Sequence, residues 1–130
     1  MVKPACLLDS SACVLILRGR ASSSALPARG ETAISSVVAA ELWAGAEKSR
    51  RATEATKLED LFEIFPVLDF DHAAARQYGE IRADLERKGT TIGPLDLLIA
   101  AHARSLGAAV VTGNVGEFKR VKGLKVLAWK

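Results

Sequence analysis

Three acids interrupt apolar runs, and acids in such places ask for a chemical reason. Asp96 lies in Ile92-Gly93-Pro94-Leu95-Asp96-Leu97-Leu98-Ile99, with leucines on both sides. Asp9 closes the run Ala5-Cys6-Leu7-Leu8, and Glu41 shares a helical face with Val38, Leu42 and Gly45, which directs it inward. Each has a purely structural reading. Asp9 can cap a helix, Asp96 can answer the dipole at a helix start, and Glu41 can pair with a core arginine. Glu41 is the hardest to explain that way, because an unpaired buried charge is strongly unfavourable. Carboxylates gathered in one partly apolar pocket repel, so at least one protonates unless a cation sits between them. An all-oxygen donor set without thiolate suits the hard ions Mg²⁺ and Mn²⁺. Such an ion polarises phosphorus and offsets charge on a leaving oxygen, the equipment for hydrolysing a phosphodiester.

The surrounding elements have to bring these acids together. Ala5-Cys6-Leu7-Leu8 reads as a buried strand, and Asp9-Ser10-Ser11 as the cap of a helix ending near Arg18-Gly19. Ala21 to Ala28 is serine-rich and fits a short helix or a loop. Glu31 to Ile34 reads as a second strand. Ser35-Ser36 then caps a helix to about Glu47, and a further helix carries Leu58, Leu61, Phe62 and Phe65. Pro66-Val67-Leu68 reads as an edge strand, since proline cannot donate to a sheet. Asp71 caps a long helix striped by Ala74, Tyr78, Ile81 and Leu85. Pro94 opens the next helix, where its missing N–H is harmless; Leu95, Leu98, Ile99 and Leu106 form its expected core stripe, ending at Gly107. Ala109 to Thr112 is the clearest later strand, followed by a loop through Gly116, a helical turn from Glu117 to Arg120, and a last strand from Lys125 to Trp129. Strands alternating with helices imply an α/β fold with a parallel sheet covered on both faces. Functional groups gather at the carboxyl ends of such strands. Asp9, Thr112 and Asn114 all fall there, and Glu41 and Asp96 can converge on the same end.

Composition narrows the class. All 130 residues read as one globular domain, 49% hydrophobic and 25% charged. No apolar run reaches the ~20 residues of a membrane span, and Met1-Val2-Lys3-Pro4 does not read as a secretory signal. Cys6 and Cys13 read as core residues, with no Cys/His spacing for zinc, so a cytoplasmic setting is simplest. A formal charge of +3 is compatible with a nucleic-acid partner without arguing for one. Asp84 and Lys88 stand in the favourable order for an ion pair on a solvated helix face. Arg82, Arg87, Lys88, Lys119, Arg120 and Lys122 have the charge to track phosphates but read first as solvated surface. His102 reads as a core histidine with one hydrogen bond.

The order of these segments resembles a known family. Leu7-Leu8-Asp9-Ser10-Ser11, Ile34-Ser35-Ser36 through Glu41-Leu42 with Gly45, Ile92-Gly93-Pro94-Leu95-Asp96 through Ala103, and Val111-Thr112-Gly113-Asn114 through Glu117-Phe118 resemble the PIN domain. More narrowly they resemble the VapC-type toxins of bacterial type II toxin–antitoxin systems. The resemblance spans nearly the whole chain and implies a PIN-like three-layer fold with a central, mainly parallel twisted sheet. It implies an Mg²⁺- or Mn²⁺-dependent endoribonuclease that cuts structured RNA (tRNA or rRNA) and so stops translation. It also implies a homodimer, a VapB-like antitoxin whose tail fills the active site, and contact with DNA only through the antitoxin complex. By position, Asp9, Glu41 and Asp96 match the family's metal-binding acids. Asn114 stands where many PIN domains have a fourth aspartate, and Glu117 is the alternative contributor; Thr112 and Ser10 are further candidates. Ser10-Ser11 replaces the usual Thr-Asn, so Ser10 keeps a hydroxyl while Ser11 loses the amide that would buttress the site.

Two other functions are compatible with parts of the pattern. An aspartyl-phosphate phosphatase would use a strand ending in Asp9, but it wants an aspartate where Ser11 stands. A weakly catalytic or non-catalytic partner of an antitoxin, acting mainly through operator DNA, would accommodate Asn114 and Ser11.

Overall fold

The computed structural model describes residues 3–19 and 29–129. The serine-rich stretch from Ala21 to Ala28 lies outside the described residues. Five strands form one parallel sheet: β1 (Cys6–Leu8), β2 (Thr32–Ser35), β3 (Val67–Leu68), β4 (Ala109–Thr112) and β5 (Val126–Ala128), in the order β3-β2-β1-β4-β5. β1 pairs with both β2 and β4, with Leu7 opposite Ala33 on one side and Val110 on the other. A three-residue strand can occupy this central place because Cys6, Leu7 and Leu8 are all buried, as an apolar run in a doubly covered parallel strand must be. Pro66 precedes the edge strand β3 and needs no donor there; its carbonyl accepts from Ile34 N–H at 2.9 Å.

The helices are α1 (Ser10–Leu17), α2 (Ser36–Ser49), α3 (Ala52–Ile64), α4 (His72–Lys88), α5 (Pro94–Leu106) and α6 (Val115–Phe118). The chain steps outward from β1 to β3, then returns across the sheet to β4. Right-handed crossovers therefore put α1, α2 and α3 over one face and α4 and α5 over the other. The direction reverses between β1 and β4, the topological switch point at which a parallel sheet opens a crevice beyond its strand ends.

Local chemistry places most element ends where the sequence indicates. Asp9, Ser35 and Asp71 each cap a helix through a side-chain oxygen, and Gly107 ends α5 in the left-handed conformation at φ 66°. Two expectations change. The stripe of α5 runs through Leu97, Ile99, Ala100, Ala101, His102 and Ala103, while Leu95 is 40% exposed. α5 packs along α4 and also against β4 and α2, so a helix wedged between neighbours buries more than one side and uses alanine where backbones approach. The last helical turn begins at Val115 rather than Glu117, because Asn114 already serves as its N-terminal boundary.

Cys6 and Cys13 are free and buried, and burial, followed by Asp9, pushes the Cys13 thiol up to about 12. No helix among the described residues is long and apolar enough to cross a membrane. The Asp84–Lys88 pair forms at 2.9 Å on the exposed side of α4.

Candidate active site

Asp9 stands at the switch point, directly after β1, and is almost fully buried. Three donors fix its carboxylate. Oδ1 accepts from Ala12 N–H at 2.9 Å and from the Ser11 hydroxyl at 2.7 Å, and Oδ2 accepts from the Thr112 hydroxyl at the end of β4. Thr112 Oγ1 in turn accepts from Asn114 N–H at 2.8 Å. The helix-capping and site readings of Asp9 are thus compatible, since the bond that starts α1 also orients the carboxylate. Thr112, a further candidate from the sequence, hydrogen-bonds the Asp9 carboxylate.

Ser11 corrects an expectation. Loss of the amide does not remove the buttress, because its hydroxyl donates to Asp9 and accepts from Gly113 N–H at 2.9 Å. A short side chain suffices because β1 and β4 are direct neighbours.

Asp96 lies in the first turn of α5. Glu117, on α6, is its neighbour: a Cβ placed on Gly93 would stand 3.8 Å from both Asp96 Oδ2 and Glu117 Oε2. Glycine at position 93 leaves this space open between the two carboxylates. Burial first, then Glu117, Asp9 and Glu41, push the Asp96 carboxyl up to about 7. Three acids from three other elements therefore act on Asp96. Of the two alternatives at the end of β4, Glu117 is the one whose carboxylate lies beside Asp96. Asn114 contributes its backbone N–H to Thr112 and makes no side-chain cap.

Glu41 requires a second correction. Val38 is buried and Leu42 partly so, but Glu41 and Gly45 are exposed. Glu41 sits at the edge of the apolar stripe, not within it, and accepts a hydrogen bond from the Ser10 hydroxyl. Its exposure removes the argument from a buried unpaired charge, while its influence on Asp96 keeps it in the cluster. Among the described residues, no three Asp, Glu, His or Cys side chains are drawn together as a ready-made cage for an ion. The donor set itself is oxygen throughout, which matches Mg²⁺ or Mn²⁺ and not a thiophilic metal. A positive charge among these groups would relieve the field that raises Asp96.

The neighbouring groups act structurally. His102 is buried in α5 with Nδ1 2.8 Å from Ser35 Oγ, a core histidine as read. Arg82 bonds Tyr78 and Glu86 on its own helix, whereas Arg120 donates to the Thr91 carbonyl at 3.0 Å and secures the loop leading to Asp96. Arg87, Lys119 and Lys122 are exposed.

The sequence and fold match known proteins closely. The PIN domain family model matches residues 6–124. The tRNA(fMet)-specific endonuclease VapC of Shigella flexneri is 40% identical over 127 residues, covering 95% of this chain and 96% of that protein. The chain belongs to the PIN-domain family, as a VapC-type ribonuclease. Ribonuclease VapC2 of Rickettsia felis is 37% identical over 129 residues, with 95% of this chain and 96% of the relative covered. Among solved structures, VapBC2 from Rickettsia felis bound to a DNA fragment from its promoter superposes with a TM-score of 0.89 at 36% identity, covering 96% of this chain and 98% of the other. DNA-bound VapBC from Salmonella typhimurium gives 0.83 at 34% identity, with 98% and 99% covered. The three-layer PIN fold expected from the sequence is the fold observed.

Proposed function

We propose that this VapC-type PIN domain is the toxin of a VapBC pair and hydrolyses a phosphodiester in tRNA with Mg²⁺ or Mn²⁺ held by Asp9, Glu41 and Asp96. The observation that carries the reading is the placement of Asp96 beside Glu117, near the Asp9 carboxylate that Thr112 and Ser11 hold at the switch point of the sheet. The tRNA class is supported by relatives at 40% and 38% identity, both named tRNA(fMet)-specific endonucleases. When bound, the metal supplies the positive charge that polarises the scissile phosphate and offsets charge on the leaving oxygen. The chain's own residues do the positioning. Thr112 and Ser11 hold Asp9 in one orientation, Ser10 steadies Glu41, and Glu117 stands beside Asp96.

A VapB-like antitoxin is the proposed partner, in the cytoplasm, with a homodimer as the working unit and DNA met through the complex. Similar proteins have been solved as VapBC assemblies on DNA. A cleft of about 310 Å³ that reaches Ser10 and Glu41 suits an antitoxin tail, with Val14, Leu17, Leu42 and Leu58 for apolar side chains and Glu41 and Glu54 for a basic one.

The test is cleavage of total bacterial tRNA by purified, antitoxin-free protein in Mn²⁺, followed by sequencing of fragment ends. One discrete cut in one tRNA species is expected. Intact tRNA, or fragments from every species alike, would remove the substrate assignment.

A further inference from the structure

The Ser11 hydroxyl bonds to both sides of the β1–β4 junction. It donates to Asp9 Oδ1 at 2.7 Å, accepts from Gly113 N–H at 2.9 Å, and lies 3.4 Å from Thr112 Oγ1. Proton counting decides what these contacts are. The single Ser11 proton goes to Asp9 Oδ1, and the single Thr112 proton goes to Asp9 Oδ2. The 3.4 Å approach between the two hydroxyls is therefore packing, with both oriented by the same carboxylate.

The acceptor capacity of Asp9 is then nearly spent. A carboxylate oxygen offers about two lone-pair sites. Oδ1 uses both, on Ala12 N–H and Ser11, and Oδ2 uses one, on Thr112. One site on Oδ2 is left. Resting on the metal-site reading above, we infer that Ser11 is a positioning residue: it closes Asp9 Oδ1, makes Asp9 a single-oxygen ligand through Oδ2, and ties the Gly113–Asn114 turn to the same point. Without the Ser11 hydroxyl, Oδ1 regains a lone pair, the carboxylate keeps only Ala12 N–H and Thr112 to hold it, and Gly113 N–H loses its acceptor. Partners that orient a metal ligand typically contribute ten- to a hundredfold to metal affinity.

The experiment is calorimetric titration of purified protein with Mn²⁺, alongside thermal melts of the metal-free protein, for the wild type, Ser11→Ala, Ser11→Thr and Asp96→Asn. The expected result is an affinity for Mn²⁺ about tenfold or more weaker in Ser11→Ala and restored in Ser11→Thr, which keeps the hydroxyl. A lower melting temperature with unchanged Mn²⁺ affinity in Ser11→Ala would make Ser11 merely structural and overturn the inference. Equal losses in Ser11→Ala and Ser11→Thr would also overturn it, because the hydroxyl would then not be the cause. Should Ser11→Ala fail to fold, Ser11→Cys, near in shape but a weak donor, takes its place with the same expected loss. Asp96→Asn separates the two levels of the argument. If it binds Mn²⁺ as tightly as the wild type, the metal site itself is wrong and Ser11 falls with it. If it binds poorly while Ser11→Ala binds normally, the metal site stands and the role of Ser11 alone is refuted.

Discussion

At position 96, burial and three neighbouring carboxylates make a charge harder to hold in the folded chain than in the unfolded one. The folded carboxyl therefore keeps its proton between the ordinary value of 3.8 and about 7, where the unfolded chain has lost it. Stability attributable to Asp96 falls as pH rises through this window. Metal-free protein melted in EDTA should become less stable from about pH 4 to pH 7 by this contribution, and Asp96→Asn should abolish it. Added Mn²⁺ should raise the melting temperature more at pH 8 than at pH 5, because its ligands must be deprotonated. An equal Mn²⁺ effect at both pH values would separate the metal from these acids. Asp9 and Asp96 stand out in the sequence as charges that break apolar runs, whereas Glu41, expected to point inward, lies exposed at the edge of its stripe. Glu117 was harder to choose because nothing in its own short helix marks it, and only the return of α6 to the start of α5 brings it to Asp96. The contribution of Ser11 was misread because a serine looks too short to buttress anything until β1 and β4 are known to be neighbours.

Helix starts hold the layers together, and Ser35 does so twice. Its hydroxyl accepts from Val37 N–H at 3.2 Å to cap α2 and lies 2.8 Å from His102 Nδ1 in α5, joining the end of β2 to two helices. Ser35→Ala removes a cap worth about 1 kcal/mol and leaves a buried imidazole nitrogen unpaired at about 1–3 kcal/mol. Urea unfolding should therefore show a loss of roughly 2–4 kcal/mol, against about 1 kcal/mol for the cap alone. Burial also lowers the pKa of His102. A folded-state value below the unfolded one means that the unfolded chain takes up the proton first, so this contribution is present above pH 6.5 and lost as pH falls. It opposes that of Asp96, and Asp96→Asn, which removes the one and leaves the other, separates them in pH-dependent melts. Caps, turns and strands were read well because each rests on local chemistry at Asp9, Ser35, Asp71, Pro94 and Gly107. The stripe of α5 was read less well. Periodicity favours large side chains, whereas a helix packed on several sides uses Ala100, Ala101 and Ala103 and leaves Leu95 at the surface.

Across the whole molecule, a net charge of +3 is modest for a protein that grips RNA. Several cations are already engaged by the protein: Arg82 with Glu86, Lys88 with Asp84, Arg104 with Glu80, and Arg120 with the Thr91 carbonyl. With these cations already paired, few phosphate contacts are expected, and with them a shallow salt dependence. Binding of tRNA to the Asp96→Asn protein should weaken by clearly less than the ~10³-fold or more expected, between 50 and 200 mM salt, for proteins making six or more duplex phosphate contacts. Filter binding across that range measures it, and a steep slope would mean that a second subunit or a larger basic surface takes part. Topology explains why scattered acids converge. The chain leaves β1 in one direction and returns to β4 on its other side, so Asp9 and Thr112, far apart in sequence, become hydrogen-bonded neighbours. Strand order was not legible from one sequence, because any parallel arrangement of these strands satisfies the same local patterns. The most direct test of metal-dependent catalysis at this crevice is single-turnover cleavage of the identified tRNA in Mn²⁺, in EDTA, and in Mn²⁺ with Asp96→Asn. Cleavage in Mn²⁺ alone, with at least a hundredfold loss in the other two, is expected for removal of a metal or its ligand, since even the outer partners of such sites contribute ten- to a hundredfold. Cleavage that persists in EDTA, or in Asp96→Asn at the wild-type rate, would contradict it.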